Sequence, residues 1–176
     1  IDAPLIVTNE SGNRPCEAAL NKDLSPFDAG AHPTNTTLLE LTGKPRGAQI
    51  ASLLGLDMNP RSGRPQRAIE VYPHPATVAL FRLGRTPKYK PKTGRDLEQL
   101  RAALIVLLGL IESLATATPA LLVDSPQGQS AWQSLRADVQ EATRKSELRR
   151  VEDQVDAVLC AYVALFATHR PADTTI

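Results

Sequence analysis

The stretch Ala68-Ile69-Glu70-Val71-Tyr72-Pro73-His74-Pro75-Ala76-Thr77-Val78-Ala79-Leu80-Phe81 decides the fold class. Its first five residues are short, rich in β-formers and stopped by Pro73, which predicts a strand over 68–72. Pro75 suits a first helical turn and Gly84 suits an exit, which predicts a helix over 75–83. A strand, a sharp turn and a helix in so short a span point to an α/β protein. Working outward, Ile1-Asp2-Ala3-Pro4-Leu5-Ile6-Val7 reads as the end of a second buried strand, because Pro4 forces Ala3 out of the helical region. Short helices are predicted over 15–20 and 45–56. Longer ones are predicted over 95–114, 130–142 and 146–168, with 120–123 a short strand or a further helical turn. Eleven of the 14 prolines fall in residues 1–91, so the first half is expected to hold short elements and the second half long helices.

The chain has 176 residues, 42% hydrophobic and 22% charged, which suits a single domain over 1–176 with a real core and excludes disorder by composition. Lys plus Arg (20) nearly balances Asp plus Glu (19), so the whole chain is neither a polybasic arm nor an acidic tail. The longest apolar run, Ala102–Ile111, is too short to cross a bilayer, so no membrane partner is expected. Cys16 and Cys160 form no C-x-x-C motif; this excludes a disulfide scaffold and a zinc ribbon and fits a cytoplasmic protein. His32, His74 and His169 lack metalloprotease or zinc-finger spacing, and no glycine-rich phosphate loop is present, which disfavours phosphotransfer. Nothing in the sequence fixes an oligomeric state.

The last helix carries the most specific local signal. With Val155 at 0° and about 100° per residue, Val151, Val158, Leu159, Tyr162 and Phe166 fall within about 60° of zero and form the core stripe. Arg149, Asp153, Asp156 and Cys160 fall at about 100–160°, in a row along its border. Two carboxylates at i and i+3 can hold a divalent cation, or one can bind it while the other orients water; the plain alternative is an exposed Arg149–Asp153 pair. Asp2, at the carboxyl end of a predicted strand, stands where α/β folds place ligand chemistry, or else caps a turn. Glu70 is open to a metal or to a basic partner. Residues 61–95 hold nine basic side chains against Glu70 alone, a net charge of +8, with Tyr89 between Lys88 and Lys90. Cations with an interleaved aromatic suit a polyanion, the charges neutralising phosphates and the ring stacking on a base.

Six segments in order, Ile1-Asp2-Ala3-Pro4-Leu5, Asn13-Arg14-Pro15-Cys16-Glu17, Gly30-Ala31-His32-Pro33-Thr34-Asn35, Glu70-Val71-Tyr72-Pro73-His74-Pro75, Lys88-Tyr89-Lys90 and Asp153-Gln154-Val155-Asp156-Ala157, resemble the domain-of-unknown-function 429 family, described as predicted nucleases of the ribonuclease-H-like fold. The last helix also looks like the closing helix of Holliday-junction resolvases. The resemblance implies a mixed central sheet flanked by helices with a helical C-terminal half, the first strands being expected either to lie upstream of Ile1 in a longer protein or to be missing. It implies a metal-dependent nuclease, with Mg²⁺ or Mn²⁺ on Asp2, Asp153 and Asp156, and Glu70 beside them in the catalytic set. DNA or RNA is the expected partner, contacted by Arg14, Arg85, Lys88, Tyr89 and Lys90. The alternative is a non-catalytic module that binds nucleic acid or protein.

Overall fold

A computed structural model describes residues 1–42 and 46–174. The chain divides into two compact units, Ile1–Thr86 together with the tail from Ala172, and Pro87–Pro171.

Among its described residues the first unit holds four short α-helices: α1 (Pro15–Leu24), α2 (Thr36–Thr42), α3 (Arg46–Leu53) and α4 (Pro73–Phe81). Pro15 opens α1 as expected, whereas α4 starts at Pro73, two residues before the predicted opening at Pro75. Pro15 and Pro73 occupy first-turn positions, where a missing N–H costs nothing. Helix α3 covers most of the span predicted over 45–56; Pro45 itself lies outside the described residues. Leu5, Ala51 and Ala68 form a small buried cluster, with Ile1, Leu56 and Met58 packed against it. Gly47 permits that packing: a Cβ there would stand 2.4 Å from the Pro4 carbonyl oxygen, so α3 lies against the backbone at Ala3–Pro4 only because residue 47 has no side chain.

The expected mixed sheet of a ribonuclease-H-like fold does not form. Among the described residues there is no strand ladder, only an isolated parallel bridge between Asp57 and Arg67. The two segments read as strands do meet: the Ile1 ammonium donates to the Ile69 carbonyl and the Val71 N–H to the Ile1 carbonyl, both at 3.0 Å. The pairing goes no further because Pro4 has no N–H to extend it and Pro73 turns the other segment into α4. Residues 120–123 are likewise neither strand nor helix.

The second unit is a bundle of three helices, α5 (Leu97–Ser113), α6 (Gln129–Glu141) and α7 (Lys145–His169), each packed against the other two. Asp96 starts α5 with a reciprocal cap: its carboxylate accepts from the Gln99 N–H (2.8 Å) and the Gln99 side chain accepts from the Asp96 N–H (3.1 Å). Leu100, Leu104, Leu107, Leu108 and Ile111 of α5 are buried, as are Trp132, Leu135 and Val139 of α6 and Leu148, Val151, Val155, Leu159 and Tyr162 of α7. By length and composition alone, Leu97–Thr116 could cross a membrane; here its leucines form one wall of the bundle core.

Candidate functional site

In the first unit, four of the motif segments converge on Arg14. Its Nε donates to Glu17 Oε1 (2.8 Å), and its Nη1 donates to Glu70 Oε2 (2.9 Å) and to the Ile6 carbonyl (3.2 Å). Nη2 completes a two-pronged grip on Glu70 through Oε1. Each carboxylate also serves backbone donors. Glu70 Oε2 accepts from the Leu5 N–H (3.0 Å), and Glu17 Oε2 accepts from the N–H of Arg14 (2.8 Å) and of Thr34 (3.0 Å). Arg14 and Glu17 are buried, while the Glu70 side chain keeps 32% of its surface. The Glu70 carboxylate holds the guanidinium above its ordinary pKa against the pull of burial, and Glu17 adds to it. Burial pushes the Glu17 carboxyl up, but the N–H groups of Arg14 and Thr34 and the guanidinium outweigh it and hold the carboxyl below its ordinary value. Asn35 extends the knot, donating to the Gly12 carbonyl (3.1 Å) and accepting from the Leu38 N–H (2.9 Å) at the start of α2.

In the second unit, the other two motif segments meet. The Tyr89 hydroxyl donates to Asp156 Oδ1 (2.8 Å), and the Lys90 ammonium stands 2.7 Å from Asp156 Oδ2 and 3.6 Å from Glu152 Oε1. Asp156 is 2% exposed, Glu152 7% and Tyr89 1%, so this is an ion cluster inside the bundle. Burial raises the Glu152 carboxyl to about 7; Lys90 pulls it back, while Asp156 and Asp153 push it further up. Burial raises Asp156 as well, opposed by Lys90 and the Tyr89 hydroxyl. Glu152 Oε2 is buried without a hydrogen-bond partner.

These placements redistribute the expected site residues. Arg14 and Tyr89, expected to contact nucleic acid, are buried and spend their donors inside the fold. Lys90 is half-buried on Asp156. Arg85 and Lys88 are exposed, Arg85 with its guanidinium 3.0 Å from Asp28. Glu70 has the basic partner that the sequence left open. Asp2 is exposed in the first unit and Asp153 is exposed on α7. No group of three His, Cys, Asp or Glu side chains able to hold a metal occurs among the described residues. Asp156, the best placed carboxylate, has one oxygen on a phenol and the other on an ammonium, so this donor set does not fit the several-oxygen shell of Mg²⁺. Sequence reasoning missed Glu152. The same helical arithmetic puts it at about 60°, on the edge of the core stripe, and that angle was the available signal.

A family model described as "Protein of unknown function (DUF429)" matches residues 1–174. The chain belongs to the DUF429 family. No curated protein and no solved structure matches it. The six motif segments first noted as a resemblance therefore lie inside a DUF429 match covering almost the whole chain, and each contributes to one of the two ion clusters or to the backbone around them.

The second cluster carries a pH prediction. Between pH about 5 and 7.5 the bundle is expected to lose stability as pH rises. A carboxyl whose folded pKa (about 7) exceeds its ordinary 4.5 contributes stability that is full below 4.5 and gone above 7. The span corresponds to roughly 3 kcal/mol at most, and Asp156 acts in the same direction. The charges facing Glu152 are Lys90, Asp156 and Asp153. Trp132 is the single tryptophan and sits in the bundle core, so its fluorescence during urea unfolding at pH 5 and 7.5 reads the effect directly. Glu152→Gln should flatten the difference; a pH dependence unchanged in that variant contradicts the assignment.

Proposed function

We propose that the chain binds the phosphate backbone of nucleic acid. One observation carries this reading. Of the nine cations in residues 61–95, only Lys90 and Arg95 are half-buried; the other seven are exposed. Asp57 and Asp28 stand against Arg64 and Arg85 without burying either guanidinium. Backbone binding by several cations is strongly salt-dependent, because each neutralised phosphate releases a counterion. With about four contacts, affinity for a labelled oligodeoxythymidine should fall roughly fiftyfold between 50 and 200 mM salt. Fluorescence anisotropy measures this, and an absence of binding at 50 mM salt, or binding indifferent to salt, overturns the reading.

A further inference from the structure

The geometry points to the loop from Asp57 to Ala68 as a preorganised, sequence-independent grip on phosphodiester backbone; this rests on the nucleic-acid reading above and names its surface. The loop reads Asp57-Met58-Asn59-Pro60-Arg61-Ser62-Gly63-Arg64-Pro65-Gln66-Arg67-Ala68. Its neck is closed by the Asp57–Arg67 bridge, with the Asp57 N–H on the Gln66 carbonyl (3.0 Å) and the Ala68 N–H on the Asp57 carbonyl (2.8 Å). Its tip is fixed from inside. The Asn59 N–H donates to Asp57 Oδ1 (2.9 Å), the Arg61 N–H to Asn59 Oδ1 (3.0 Å), and the Arg67 guanidinium to the Pro60 carbonyl (2.6 Å). Gly63 supplies the left-handed turn (φ 73°) that reverses the chain at the tip. A loop already ordered spends little of its binding free energy on ordering.

Arg61, Arg64 and Arg67 recur every third residue, and all three are exposed. Asp57 is the only acid in the loop. The Asn59 N–H, the Ser62 hydroxyl and the charges of Arg64 and Arg67 hold it below its ordinary pKa, so it stays ionised and the loop keeps a surplus of two positive charges. All three cations are guanidinium groups, whose planar forks meet phosphate oxygens two at a time. The loop contains no aromatic side chain to stack on a base, so its contacts position a strand without reading it.

The test is anisotropy of a labelled oligodeoxythymidine and of a labelled mixed-sequence strand with the full chain, over 50–200 mM salt. Arg61→Ala/Arg64→Ala is the informative variant, because Arg67 also anchors Pro60 and is left in place. Removing two phosphate contacts should make the slope of log affinity against log salt shallower by about 1.4, equally for both strands. Arg149→Ala/Arg150→Ala, two exposed cations of α7, controls for net charge and should leave the slope as it was. Far-ultraviolet circular dichroism confirms that both variants fold. If the wild type binds and the loop variant keeps its slope, the loop assignment falls while the binding reading stands. If the wild type does not bind, both fall. If polyglutamate displaces the strand as readily as unlabelled DNA, the partner is not a phosphodiester.

Discussion

Arg14→Ala should lower the stability of the first unit by about 3–5 kcal/mol, the range for removing one partner of a buried ion pair. The guanidinium serves two carboxylates and the Ile6 carbonyl. Without it, the buried Glu17 and the partly exposed Glu70 face each other's segments with no cation between them. The backbone donors at Leu5 and Thr34 remain, but they carry no full charge to offset two carboxylates. Arg14→Lys should fall between, at about 1–2 kcal/mol, because an ammonium cannot make the two-pronged contact to Glu70 while also holding Glu17. The combined Arg14→Met/Glu17→Gln/Glu70→Gln variant should recover much of the loss, since the cost comes from unpaired charge rather than from a missing attraction. Guanidinium unfolding followed by far-ultraviolet circular dichroism gives all three values. A loss below about 1 kcal/mol for Arg14→Ala, or a triple variant worse than the single one, would show that the knot is not what ties residues 5–6, 14–17, 34 and 70 together.

The helices were largely legible because they rest on local signals. The apolar run from Ala102 to Ile111 announces α5 and Pro15 announces α1, while Pro75 announces a helix that in fact starts two residues earlier, at Pro73. The helix α2 was not read: Thr36-Thr37-Leu38-Leu39-Glu40 is short, and although Asn35 caps it locally by accepting from the Leu38 N–H (2.9 Å), its first N–H is held from a distance by the Asn9 carbonyl (2.9 Å). The strand readings failed for a different reason. Ile1–Val7 and Ala68–Tyr72 have the composition of strands and do meet, but a sheet is a cooperative, non-local object, and Pro4 and Pro73 end the pairing after two bonds. Composition reports what a segment prefers, not whether a neighbour can continue the ladder.

The site was legible in part for the same reason. Asp156 stood out by its angle on α7, and Lys90 by its place in a basic stretch, yet nothing local says that the two face each other. Tyr89 beside two lysines suits base stacking as a pattern; tertiary packing instead buries the ring and turns its hydroxyl to Asp156. Burial separates these cations: Lys90 and Arg14 are held on carboxylates inside the fold, whereas Arg61, Arg64 and Lys88 are exposed.

Asp156 and Asp153 are three residues apart on α7, and the structure separates them sharply. Asp156→Ala should cost the bundle about 3–4 kcal/mol: it takes a carboxylate from the Lys90 ammonium at 2.7 Å and from the Tyr89 hydroxyl at 2.8 Å, inside a closely packed core. Asp153→Ala, at an exposed position, should change stability by no more than about 0.5 kcal/mol. Tyr89→Phe keeps the buried ring and removes only the donor, for about 1.5–3 kcal/mol, the usual range for a hydrogen bond to a charged group. Because Tyr89 and Asp156 share that bond, the double variant should lose less than the sum of the two single losses, by about 1 kcal/mol or more. Urea unfolding followed by Trp132 fluorescence measures each step of the cycle within the second unit. If Asp153 and Asp156 acted together as ligands of one divalent cation, the two alanine variants would lose similar amounts in Mg²⁺ and the Tyr89 cycle would be additive. Unequal losses that stay unchanged on adding Mg²⁺, with a clear coupling to Tyr89, are the outcome the ion cluster requires.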